Sequence, residues 1–287
     1  MENTESIKVK ESSSSNKNKS KYVLEFITEK IFMISAFVAV ISLLLIIGFV
    51  FYKGLMPFAT EGYSFIDFIF GTEWLPSSKE FGIGAMIVTS MVATVGALII
   101  GVPIGILAAI FIAEICPKKY ARVISTAVEL LAGIPSVLYG IFGLAVIVPA
   151  IQTVLSLPKG QSLLAVIIVL AIMMLPTIIS LSETSIRAVP KAYKEGSLAL
   201  GASKIETIFK VIVPAAKSGI LAGVILGIGR ALGETMAVIL VAGNSTAMPT
   251  SLLDSARPLT TNIALETTSQ HPLCCSTDPK IWKNWPT

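Results

Sequence analysis

Residues 190–214 read PKAYKEGSLALGASKIETIFKVIVP, a polar and basic stretch with an apolar run of membrane length on either side. Pro190 stands where a helix start tolerates a missing N–H. Gly201 suits the left-handed residue just past a helix end. Ser203 followed by Glu206 is a capping box that opens a second helix. Ile205, Ile208, Phe209 and Ile212 then recur at helical spacing and give that helix an apolar face. The stretch predicts two short helices meeting at a tight corner, with Leu198 and Leu200 near it. Such a hairpin is either an ordinary connecting loop or a docking knob for another protein.

Composition sets the class of the molecule around it. Hydrophobic residues make up 54% of 287 positions, charged residues 14%, and mean hydropathy is +0.80. A soluble domain carries about a quarter charged residues, so the chain is an integral membrane protein. Its fold class is all-α, a polytopic bundle with five apolar runs at Ile31–Tyr52, Ile83–Ala113, Leu130–Ile151, Leu163–Leu181 and Gly219–Gly243. Each is long enough to cross the hydrocarbon, which takes about 20 helical residues. The first is too long for a signal-peptide core, and no small-residue cleavage site follows it.

Basic residues give the orientation. Lys/Arg gather in the N-terminal tail, in a turn at Lys118, Lys119 and Arg122, and between Arg187 and Lys217. The 53–80 loop instead carries Glu61, Asp67, Glu73 and Glu80 against two lysines. By the positive-inside rule the tail and the basic loops face the cytoplasm. Residues 1–25, Ser/Lys-rich, lack the apolar surface to fold alone and are expected to be disordered. Cys116, Cys274, Cys275 and His271 form neither a disulfide framework nor a spaced metal site. The dipeptide Gly-Lys never occurs, so the chain has no GxxxxGK[ST] phosphate loop. Any ATPase that drives it is a separate subunit, and nothing in the sequence asks for an enzyme's residues, a cofactor or a nucleic-acid partner.

Arg230 and Glu234 stand inside the fifth run, about midway along. Each costs several kcal/mol if left unpaired in hydrocarbon. On a continuous helix their i, i+4 spacing puts both on one face. They are then either a structural ion pair or part of a translocation path, with Arg230 offering a forked donor to a tetrahedral oxyanion. Gly219, Gly223, Gly227, Gly229 and Gly233 keep this segment thin enough for close packing or for a solute.

Glu195-Gly196-Ser197, then Gly201, then Val211–Pro214 resemble the EAA loop of ABC importer permeases. Gly196 and Ser197 replace the loop's two alanines, and Val213 its leucine. GRALGETMAV (229–238), ELLAGIPSVLYGIFG (129–143) and LPTIISLSE (175–183) resemble phosphate importer permeases. FGTEWLP (70–76) with EFGIGAMIVTS (80–90) is similar to the PstC type rather than the PstA type. The likeness runs from about Lys30 to Glu266, within a permease domain taken as residues 26–266. It implies a permease domain that moves inorganic phosphate across the cytoplasmic membrane, pairs with a PstA-type half, and sits on two ATPase subunits. An extracytoplasmic phosphate-binding protein would deliver the substrate. It also implies ATPase coupling through Glu195, Gly196, Ser197, Gly201 and Pro214, and phosphate passage along Arg230 and Glu234. A permease for molybdate or sulfate, or a membrane signalling or scaffold subunit that moves nothing, are the other readings.

A Glu234 carboxylate would favour protonated phosphate over sulfate, which has no proton to donate. Pro103, Pro135 and Pro176 interrupt helical hydrogen bonding in apolar runs. Residues 267–287 are polar and proline-interrupted, where permeases of this type continue into a sixth apolar helix. A reading-frame shift or truncation near Glu266 is the leading explanation, and a genuine shortened variant the second.

Overall fold

The computed structural model describes residues 2–60, 62, 64–76 and 80–269. The chain divides into two units, Met1–Phe65 and Ile66–Thr287. The first is essentially one helix, α1 (Glu2–Thr60), whose Glu25–Met56 part is long and apolar enough to span a membrane. Residues 2–25 belong to the same helix. No glycine or proline occurs before Gly48, so a helix nucleated in the apolar segment propagates backwards without meeting a breaker. The boundary between the two units falls at Phe65/Ile66.

In the second unit a short helix α2 (Phe65–Phe70) leads into a two-stranded antiparallel hairpin, β1 (Trp74–Leu75) and β2 (Glu80–Phe81). The Trp74 and Phe81 rings meet edge to face at 5.5 Å. Helix α3 (Gly84–Ile110) follows and ends in a π-helical turn, Phe111–Ile115. Then come α4 (Lys118–Ala132), α5 (Ser136–Phe142) with a π turn at Gly143–Ile147, α6 (Val148–Val154) and α7 (Leu163–Arg187). The basic residues 118–122, expected as a turn, open an amphipathic helix, and the apolar run expected at 130–151 is divided. Gly133–Pro135 separates α4 from α5, because proline ends one helix and starts the next more cheaply than it sits inside one. The Tyr139 hydroxyl donates to the Leu131 carbonyl (2.7 Å) across that gap. Pro103 and Pro176, by contrast, lie inside uninterrupted helices.

Helix α7 is the centre of this unit. Two-thirds of its apolar window is buried, with Val166, Met173, Met174 and Ile178 fully enclosed. Its N-terminal N–H groups are satisfied from outside: Ser162 caps Ala165, while the carbonyls of Asp254 and Leu252 accept from Leu163 and Leu164. That loop is shaped by the Asp254 carboxylate, which accepts from the Thr250 and Ser251 N–H groups and the Thr250 hydroxyl, each at 2.8 Å.

The hairpin follows as α8 (Lys191–Ala199), α9 (Lys204–Thr207), a π turn at Ile208–Ile212 and α10 (Val213–Ala215). Helix α11 (Lys217–Gly233) bends away by 69° and packs along α7. Gly219, Gly223 and Gly227 face α7 at contact distance, whereas Gly229 and Gly233 face open space. With the bent pair taken as one span, the described residues hold five membrane-length segments. The fifth apolar run is not one helix: it stops at Gly233 and resumes as α12 (Met236–Val241). Helix α13 (Leu259–Ser269) closes the described chain and, at 11 residues, is too short to span. The proposed frame shift concerns residues that lie almost wholly outside the described ones.

Candidate functional site

Two places gather the residues singled out by the sequence. The first is the 190–214 hairpin. Helix α8 starts after Pro190 and ends in a Schellman motif: Ala202 N–H donates to Ser197 O (3.2 Å) and Gly201 N–H to Leu198 O (3.0 Å). Gly201 holds φ +86° there, a conformation that side chains with a Cβ resist. The capping box forms as expected, with Ser203 Oγ accepting from Glu206 N–H and the Glu206 carboxylate accepting from Ser203 N–H. Ser197 and Thr207 join the two arms, hydroxyl to hydroxyl at 3.0 Å.

The four apolar residues of the second arm do not act together. Ile208 and Ile212 are buried in the bundle, while Ile205 and Phe209 stay exposed. Ile205 lies in α9, before the π turn, and Phe209 lies within the turn beside the buried Ile208. Leu200 at the corner is 91% exposed, and Glu195 and Gly196 are also exposed. A surface with apolar residues at a rigid corner beside a free carboxylate is suited to docking. Pro214 lies in α10, just before the bend into α11.

The second place is the end of α11. Arg230 and Glu234 do not share a helical face, contrary to the continuous helix assumed from their spacing. Glu234 is extended (φ −72°, ψ 129°) beyond the last turn. Its Oε1 accepts from the Ala237 N–H at 3.1 Å, in the first turn of α12, where a negative charge meets unsatisfied N–H groups. The Glu234 carbonyl accepts from the Thr260 hydroxyl (2.9 Å), tying the break to α13. No salt bridge joins Arg230 to Glu234, and among the described residues no carboxylate lies within 4 Å of the guanidinium. Arg230 reaches across to α7, with Nη1 3.5 Å from Thr177 Oγ1. Among the described residues this half-buried cation therefore spends only one of its five donors on the protein. Glu234 lines a small cleft with Ser90 and Thr94 of α3, Val166 and Leu170 of α7, and Thr260.

A third cluster was not anticipated from the sequence. Glu183 of α7 is buried, accepts from Arg187 Nε (2.9 Å), and accepts from Ser125 of α4 at 2.8 and 3.0 Å. Arg187 also donates to the Ile112 carbonyl (3.1 Å) in the π turn that ends α3. Two residues on, Glu114 is ion-paired with Lys194 of α8. Acidic residues near the ends of apolar runs were the available signal, but their partners lie up to 80 positions away.

Comparison with known proteins bears out the resemblance. Residues 101–268 match the family described as "Binding-protein-dependent transport system inner membrane component". A Bacillus subtilis (strain 168) protein, "Probable ABC transporter permease protein YqgH", is 45% identical over 215 residues, 74% of this chain and 70% of that one. The "Phosphate transport system permease protein PstC" of Mesorhizobium japonicum is 37% identical over 265 residues, covering 84% of this chain and 80% of its own. The protein of the same name from Haemophilus influenzae is 38% identical over 219 residues, covering 70% of each. Family match and apolar helices together make this a multi-pass membrane protein, a transport subunit and not an enzyme. The chain belongs to the family of binding-protein-dependent transport system inner membrane components.

Proposed function

We propose that the chain is the PstC-type permease half of an ATP-driven importer of inorganic phosphate in the cytoplasmic membrane. It pairs with a PstA-type half, rests on two ATPase subunits, and receives phosphate from an extracytoplasmic binding protein. The observation that carries this reading is Arg230, a half-buried cation at the end of a membrane helix that has no carboxylate partner among the described residues. Leaving such a charge unpaired is costly, and an oxyanion passing the α11–α12 break would meet its forked donors. Relatives that bear a phosphate-transport name give the anion's identity.

Glu234 has one oxygen occupied by the Ala237 N–H. The other is available as an acceptor for the proton that phosphate still carries near neutral pH. The hairpin faces the cytoplasm with the N-terminus, as its lysines require, and Glu195, Gly196, Ser197, Gly201 and Pro214 form the coupling element for the ATPase. ATP-driven closure of the ATPase dimer moves this rigid corner, and the helices convert the movement into a change of access. The test is uptake of labelled phosphate by vesicles holding the full complex. Uptake should require ATP and resist excess sulfate and molybdate. Inhibition by either anion equal to that by unlabelled phosphate would contradict the assignment.

A further inference from the structure

Helix α8 carries most of the coupling motif, yet it buries no residue of its own. Outside the hairpin, its side chains make one polar connection among the described residues: Lys194 to Glu114. The pair is partly shielded, with side-chain exposures of 36% for Lys194 and 12% for Glu114, so solvent and salt weaken it less than an ordinary surface pair. Glu114 belongs to the π turn at the end of α3. That turn is also held by Arg187, whose guanidinium takes the Ile112 carbonyl and is itself fixed by the buried Glu183. One short turn is thus gripped by α7, the centre of the unit, and by α8, the exposed arm of the hairpin.

The same α3 carries Ser90 and Thr94, which line the Glu234 cleft. From Thr94 to Glu114 is 20 residues, roughly 30 Å of helix. Although Pro103 lies on the way, the helix is unbroken through Ile110. We propose that the Glu114–Lys194 ion pair is a strut that transmits movement of the coupling hairpin to α3 and so to the cleft. Both residues are positioning residues: neither touches substrate, and each acts through α3. The inference rests on the coupling role proposed for the hairpin and adds the route by which its movement leaves it.

The experiment uses the complete complex in proteoliposomes and reads phosphate imported per ATP hydrolysed. Lys194→Glu and Glu114→Lys should each lower that ratio by roughly tenfold, within the ordinary range of coupling between sites. ATP hydrolysis should continue in both. The double reversal, Glu114→Lys with Lys194→Glu, should restore the ratio to near the unmodified complex, and Lys194→Arg should leave it nearly unchanged. If a single reversal prevents assembly, Lys194→Met removes the charge without placing two acids together and should lower the ratio in the same way. Single variants that import as efficiently as the unmodified complex would overturn the strut while leaving the functional reading intact. So would a double variant that assembles but imports no better than the singles. An unmodified complex that hydrolyses ATP without moving phosphate would overturn the functional reading, and the strut with it.

Discussion

Gly219 of α11 and Ser185 of α7 approach so closely that a Cβ on the glycine would stand 1.9 Å from the serine hydroxyl and 2.5 Å from its Cβ. Ser185 is held in place, donating to the Leu181 carbonyl at 2.7 Å. The two helices can lie this near only because one of them lacks a side chain there. Gly219→Ala should therefore force them apart and cost about 1–3 kcal/mol, as overpacking does. Gly229, on the same helix, meets nothing within 4 Å. Gly229→Ala should be neutral or stabilising, by up to about 1 kcal/mol from helix propensity. Thermal denaturation of both variants in one detergent checks the contrast.

The hairpin corner invites a different substitution. Gly201 sits at φ +86° beside exposed Leu200 and completes the α8 cap. Gly201→Asp strains the backbone by about 1–3 kcal/mol and places a charge on the proposed docking surface. Glu195→Lys reverses the exposed charge nearby. Both variants should reach the membrane in normal amounts yet hydrolyse ATP without matching uptake. Normal uptake in both would remove the hairpin from the coupling path.

Glu234→Gln offers a clean test of selectivity. The amide oxygen of glutamine can still accept from the Ala237 N–H, so the start of α12 keeps its cap while the charge is lost. Phosphate uptake should fall relative to sulfate uptake in the variant. Unchanged discrimination would leave the carboxylate only its role at the helix start.

Acidification should loosen the opposite end of α7. Hydrogen bonds from the Thr250 hydroxyl and from the Ser251 and Thr250 N–H groups hold the Asp254 carboxyl below its ordinary value of 3.8. A carboxylate stabilised in the folded state contributes fully above the ordinary value, and the contribution is lost as pH falls through the lowered one. The Asp254 and Leu252 carbonyls accept from Leu163 and Leu164. Protection of those two amides, measured against intrinsic exchange at the same pH, should fall only below the ordinary carboxylate range, and Asp254→Asn should show the lower protection already at neutral pH.

How far the sequence revealed this molecule depends on the range of the interactions. Caps are local, so Ser203, Glu206 and Gly201 announced the hairpin within a few residues of each other. Apolar runs announced the membrane segments. The break after Gly233 was hidden because hydropathy is blind to backbone direction: an apolar run containing Glu234 reads alike whether the carboxylate lies on a helix face or caps the next helix. The π turns at 111–115 and 208–212 were hidden too, since one extra residue per circuit leaves no compositional trace. The Glu183–Arg187 pair follows the i, i+4 spacing within α7, but its link to Ser125 and the Glu114–Lys194 pair depend on which helices the fold places side by side, and no spacing rule reaches that far.

ATP-driven uptake of labelled phosphate by vesicles carrying the Arg230→Gln complex tests the central claim most directly. Hydrogen bonds to a charged group are worth about 1.5–3 kcal/mol, so their loss should lower uptake by roughly 10- to 150-fold. Membrane assembly and ATP hydrolysis should persist. Phosphate uptake at the unmodified rate by that assembled complex would contradict a translocation path that runs past Arg230.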